Sequence, residues 1–146
     1  MRGDLNDPVM AGLVARLDEM NALAERSQGF VWRLRGDMTP EALRVFSTYF
    51  VPFVPSRLFY NSSVWESIAD LRHFIANTAH AEMLRDRHRW INHFDRASLA
   101  LWWTPVGYQP SIAESAERLR SVEERGASAY AFTFSTLYRP EGELCL

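Results

Sequence analysis

Asn61-Ser62-Ser63-Val64-Trp65-Glu66-Ser67, with His80-Ala81-Glu82 following thirteen residues after Ser67, decides how this chain is read. From Arg57 onward the pattern is that of a strand, whose successive side chains point to opposite faces. Phe59, Asn61, Ser63 and Trp65 therefore share one face, and Leu58, Tyr60, Ser62 and Val64 the other. An amide, a hydroxyl and an indole are thereby placed on a single surface. Ser67 is a favourable N-cap and Asp70, at the third helical position, can reach back to it, so a helix is expected from Ile68. A strand with polar cargo leads into a helix that carries His80. The same pattern also suits packing alone, with a Trp and a hydrogen-bonded Asn in a buried strand.

Working outward, Asp7 as N-cap and Pro8 at the first helical position open a helix. Its Val9, Leu13, Leu17, Met20 and Leu23 (or Ala24) recur every three to four residues until Ser27-Gln28-Gly29. Residues 30–35 alternate as a strand, with Phe30, Trp32 and Leu34 on one side and Val31, Arg33 and Arg35 on the other. A short helix start is expected at Thr39-Pro40-Glu41. Val45 to Pro55, interrupted by Pro52 and Pro55, reads as an irregular excursion or an edge segment. The helix from Ile68 turns Leu71, Phe74 and Ile75 inward; it kinks or restarts at Asn77-Thr78 and runs on to about Trp90. Leu99-Ala100-Leu101-Trp102-Trp103 reads as a central strand covered on both faces. Ser111 caps a third helix carrying Ile112, Ser115, Leu119 and Val122 and stopped by Gly126, and residues 130–134 supply a last strand.

Composition narrows the chemistry. With 146 residues, 47% of them hydrophobic and 13% aromatic, one domain over 1–146 with a real core is expected. The net charge of −2 is spread over a mixed surface, so neither nucleic acid nor an anionic membrane is expected as a partner. All sixteen basic residues are Arg, which removes Schiff-base and lysine-nucleophile chemistry. The single cysteine, Cys145, allows neither an internal disulfide nor a cysteine metal site, and with no export signal or long apolar run a cytoplasmic location is expected.

Four histidines raise the question of metals. His73 and His80 stack on one helical face if the helix is continuous, while His88 and His93 diverge, and His80-Ala81-Glu82 lacks the partners of a zinc motif. No metal is expected. His80 is the acid–base candidate, because an imidazole titrates near neutral pH; the alternative is a helix histidine bonded to Glu82 or a backbone carbonyl. Arg33, projecting from a strand among aromatic residues, must either be paired or meet a ligand anion.

Trp65-Glu66-Ser67 at a strand-to-helix junction, with a His late in the helix, resembles the dimeric α+β barrel superfamily that includes antibiotic-biosynthesis monooxygenases. Residues 21–34, Ser63-Val64-Trp65-Glu66-Ser67, His80-Ala81-Glu82, residues 101–110 and Ala131-Phe132-Thr133-Phe134 are similar to a bacterial family catalogued only as a domain of unknown function. The resemblance spans most of the chain. It implies an α+β fold with a ferredoxin-like antiparallel sheet, helices on one face, a pocket between the layers and a homodimer formed through the sheet. The first strand of that pattern has no counterpart before Asp7; the start shown is internal to the natural gene, or the segment 45–55 or the C-terminal tail replaces the strand. A sheet covered on one side leaves an apolar face for a second subunit or a hydrophobic ligand, and Trp32, Trp65, Trp90, Trp102 and Trp103 enlarge the apolar inventory.

In the related monooxygenases an Asn and a Trp four residues apart on this strand serve oxygenation without flavin, metal or haem. Asn61 and Trp65 match that pair, and His80 matches the helix histidine. The resemblance therefore implies a cofactor-independent oxygenase or cyclase for a small aromatic or polyketide-like substrate, with His80, Asn61 and Trp65 catalytic. Trp32, Arg33, Phe59, Ser63, Trp102 and Trp103 are the candidates for contacting the substrate. Two other readings stay open: a haem-binding or haem-degrading protein with His80 as axial ligand, and a non-catalytic binding or assembly module in which Asn61 and Trp65 only pack.

Overall fold

The computed structural model describes residues 1–4, 6–35, 40–49, 54–92 and 96–145, with backbone alone for Glu41 and Ala42. Among the described residues, five helices, α1 (Ala11–Glu25), α2 (Pro40–Tyr49), α3 (Ile68–Asn77), α4 (Ala79–Asp86) and α5 (Ile112–Arg125), combine with the antiparallel strands β1 (Phe30–Arg33) and β2 (Ser63–Trp65). The fold is α+β. Contacts divide the chain into two compact units, Met1–Gly36 with Val54–His93 and Asp37–Phe53 with Phe94–Leu146.

In the first unit, Pro8 begins a 3-10 turn, Pro8–Met10, and the Asp7 carboxylate accepts the Asp4 N–H at 2.8 Å instead of capping a helix. The α-helical stripe therefore starts at Ala11 and rotates slightly. Met10, Leu13, Met20 and Ala24 are buried while Val9 is 51% exposed, so Met10 takes the place expected of Val9. Met10 and Leu13 pack on Trp90, with Met1, Leu17, Met83 and Ile91 around them. Gly29, at φ +75°, turns the chain from α1 into β1.

The strands pair Phe30 with Trp65, Trp32 with Val64 and Arg33 with Ser63. Two steps on β1 against one on β2 make Val31 a bulge. Paired residues lie on one face, so the bulge sets Phe30 beside Trp65 and Trp32 beside Val64, breaking the expected grouping of Phe30 with Trp32. β2 is also shorter than the alternation from Arg57 suggested. Pro55 starts a 3-10 turn over Pro55–Arg57, and the Leu34 N–H to Ser62 carbonyl bond of 2.9 Å is where the ladder begins.

Ser67 caps α3, its Oγ accepting the Asp70 N–H at 3.1 Å and donating to the Asp70 carboxylate at 2.6 Å. The helix breaks where Asn77-Thr78 predicted. Thr78 is extended (φ −125°), donates its hydroxyl to the Phe74 carbonyl at 2.5 Å and accepts the His80 N–H at 3.2 Å, so it ends α3 and caps α4. A 3-10 turn, Arg87–Arg89, then delivers Trp90 to the core.

The second unit corrects the reading of residues 45–55 as irregular: α2 continues through Tyr49, and residues 50–53 lie outside the described residues. Phe46 and Tyr49, three apart, are both 2% exposed, a helical spacing that the downstream prolines obscured. α2 packs against α5. The Tyr49 hydroxyl donates to the Ala97 carbonyl at 2.8 Å, and Arg96 lies over the Tyr49 ring at 4.6 Å while meeting Glu123 at 3.5 Å. Ser111 caps α5 through the Glu114 N–H, and Gly126, at φ +77°, ends it. The small Ser115, Ala116 and Ser121 are its buried residues. Residues 99–103 and 130–134, expected as strands, meet in the single antiparallel bridge Leu101–Phe132, with both N–H to O bonds at 2.8 Å. Neighbouring groups are committed elsewhere: the Trp103 indole donates to the Tyr138 carbonyl at 2.7 Å, and the Thr136 N–H turns back to Thr133.

Candidate functional site

The strand-to-helix junction builds a run of rings. Phe30 meets Trp65 edge to face at 5.5 Å, Trp65 stacks on Phe74 at 5.1 Å and 28°, and Phe74 tilts against His80 at 4.8 Å. The Ser67 cap sets where α3 starts, and hence the turn on which Phe74 faces Trp65; the Thr78 break sets where α4 starts, and hence the place of His80. Sequence reasoning had turned Phe74 inward without recognising it as the ring that joins Trp65 to His80. Its position on the inward face of α3, six residues ahead of His80, was the available signal.

His80 is half-buried and its Nδ1 is enclosed, with no hydrogen bond of normal geometry. Burial lowers the imidazole pKa from its ordinary 6.5, and the Ile75 backbone opposes the shift more weakly. The ring is therefore neutral at neutral pH. Ser63 is exposed and its Oγ accepts the Trp65 indole N–H at 2.9 Å, so that indole donor is engaged. Asn61 is exposed, just ahead of β2.

Arg33 resolves toward pairing. Its Nε donates to Glu25 at 2.7 Å and its Nη1 to the Leu34 carbonyl at 3.2 Å. Arg35 binds the same Glu25 oxygen at 2.7 Å, so two guanidinium groups share one carboxylate. Glu25, the counter-ion, was not singled out from the sequence. Trp32 lies across from Val64, and Phe59 is half-buried ahead of β2. Trp102 and Trp103 belong to the second unit, where Trp102 lies under Arg118 at 5.2 Å and Trp103 is bonded to Tyr138.

Among the described residues no group of three or more His, Cys, Asp or Glu could hold a metal ion. His73 contacts Asn77 at 3.4 Å, His88 the Arg85 carbonyl at 3.2 Å, and His93 lies outside the described residues. No described helix is long and apolar enough to cross a membrane. Comparison with curated proteins and with solved structures finds no match. A family model described as "Domain of unknown function (DUF3291)" matches residues 1–145, and the chain therefore belongs to the DUF3291 family.

Proposed function

We propose that this protein is a cofactor-independent oxygenase, or a cyclase of related fold, acting on a small aromatic or polyketide-like molecule beside β2, α3 and α4. The observation that carries the proposal is the Trp65–Phe74–His80 stack, in which burial keeps the imidazole neutral and so free to accept a proton. The resemblance of the Asn61/Trp65 pair to that of the antibiotic-biosynthesis monooxygenases supports it. An electron-rich phenol or enol, once deprotonated, can form a C–O bond with dioxygen directly, so the protein need supply only a base, an anion-stabilising donor and a dry surface. His80 takes the proton through Nε2, since Nδ1 is enclosed. The Asn61 amide donates to the oxyanion or the peroxide, and Trp65 packs on the substrate ring.

Removing one such donor typically slows an enzyme about a hundredfold to a thousandfold. Asn61→Ala and His80→Ala are expected to lose turnover but keep their melting transitions, measured by oxygen uptake on a confirmed substrate. Wild-type rates in both variants overturn the proposal in favour of a packing role, a reading that draws on the way Phe30, Trp65, Phe74 and His80 cover one another's rings. A saturable Soret shift on titration with hemin, lost in His80→Ala, moves the assignment to haem binding instead. The ferredoxin-like barrel belongs to the same proposal and requires a homodimer. Light scattering should give twice the 16.9 kDa chain mass.

A further inference from the structure

We infer that Ser63, backed by Trp65 and facing Arg33, is a second donor, beside Asn61, to an anionic oxygen of the ligand. The inference rests on the proposed oxygenase or cyclase site and adds that Ser63 holds the phenolate or enolate formed when His80 takes the proton of the substrate. A hydroxyl has one proton to give and two lone pairs to receive with. The Trp65 indole, a donor only, occupies one lone pair of Ser63 at 2.9 Å, and the Ser63 proton has no acceptor among the described residues. The Trp65 N–H therefore acts through Ser63, polarising an exposed O–H that is left to donate.

The register adds charge. Arg33 pairs with Ser63 across the strands, so both side chains leave the same face about 5 Å apart. Arg33 and Arg35 share the single Glu25 carboxylate, leaving one positive charge in excess beside that face. The Arg33 side chain is only 22% exposed, so water screens its charge less than it would on an open surface. A polarised hydroxyl and a surplus guanidinium charge on one strand face suit an oxyanion.

The test uses para-nitrophenol, whose phenolate is yellow and reports its own ionisation when bound. The intact protein is expected to bind the phenolate in preference to the phenol. Ser63→Ala should weaken phenolate binding about tenfold to a hundredfold, the range for hydrogen bonds to charged groups. Ser63→Thr restores the hydroxyl and should restore affinity, while Trp65→Phe, which keeps a stacking ring without the N–H, should fall between. Unchanged phenolate affinity in Ser63→Ala, alongside lost turnover in His80→Ala, overturns the role of Ser63 and leaves the proposed function standing. Absence of any phenolate preference in the wild type overturns the inference that this face holds an oxyanion.

Discussion

Replacing Gly29 with Ala tests how the turn before β1 supports the site. Gly29 has φ +75°, and a Cβ built on it would lie 2.4 Å from both Cγ and Oδ2 of Asp70 and 2.5 Å from its Cβ. Asp70 is not free to retreat. Its N–H and carboxylate hold Ser67, the cap that starts α3, and the Gly29 carbonyl accepts the Glu66 N–H at 2.7 Å on the same junction. The left-handed backbone costs an L-residue about 1–2 kcal/mol, and displacing Asp70 from the cap forfeits about 1 kcal/mol more. The sum, about 2–3 kcal/mol, corresponds to a fall of roughly 4–12 °C in melting temperature for a chain of this size. Thermal unfolding followed by circular dichroism reads it directly. Because the clash and the cap share one residue, Gly29→Ala combined with Asp70→Ala should lose less than the sum of the two single variants. An unchanged melt in Gly29→Ala, or strict additivity in the double variant, refutes the reasoning.

Tyr49→Phe should cost about 1 kcal/mol in chemical denaturation, the usual net value of one hydrogen bond, because it removes the bond to the Ala97 carbonyl and keeps the ring under Arg96. Burial above all, with Glu123 adding to it, pushes the Tyr49 phenol up to about 12, so ultraviolet titration should show this ring ionising only near there. His80 makes stability depend on pH with a definite sign. Its folded pKa lies below 6.5, the unfolded chain holds the extra proton first, and stability should fall as pH drops from about 6.5 through the folded value. Denaturation midpoints across that window should slope less in His80→Gln; an equal slope excludes His80 as the source.

Local chemistry was legible because it is written in neighbouring residues. Ser67 with Asp70, Thr78 before His80, and Ser111 with Glu114 are caps whose donor and acceptor lie within three residues of each other, and each forms as the spacing requires. The sheet was less legible, since strand pairing depends on partners far along the chain. Leu99-Ala100-Leu101-Trp102-Trp103 has the apolar content of a central strand, yet its one ladder contact is with Phe132. The Ala131 and Thr133 carbonyls, which a longer ladder would have used, accept the Ser128 and Thr136 N–H groups instead. The helical period of Phe46 and Tyr49 was likewise present but read against Pro52 and Pro55, which lie beyond the end of α2. Phe74 shows the same limit at the site. The sequence turned it inward, but that it joins Trp65 to His80 follows from a helix break and a cap acting together.

The bulge at Val31 bears most directly on which aromatic residues can act together. Had the alternation from Phe30 held, Trp32 would share the face of Trp65, and the two indoles would line one surface. The extra residue instead sets Trp32 across from Val64, on the face opposite Trp65, and places Arg33 across from Ser63. The Trp65 face thus carries a hydroxyl, an indole and the edge of a cationic cluster, next to Phe74 and His80. The other face carries Trp32 and Val64, both only half-buried. A single inserted residue separates a polar face suited to an anion from an apolar one suited to burial. On the proposed homodimer, the apolar face is the part of this strand pair with surface left to cover, while the proposed chemistry stays with Ser63, Trp65 and His80.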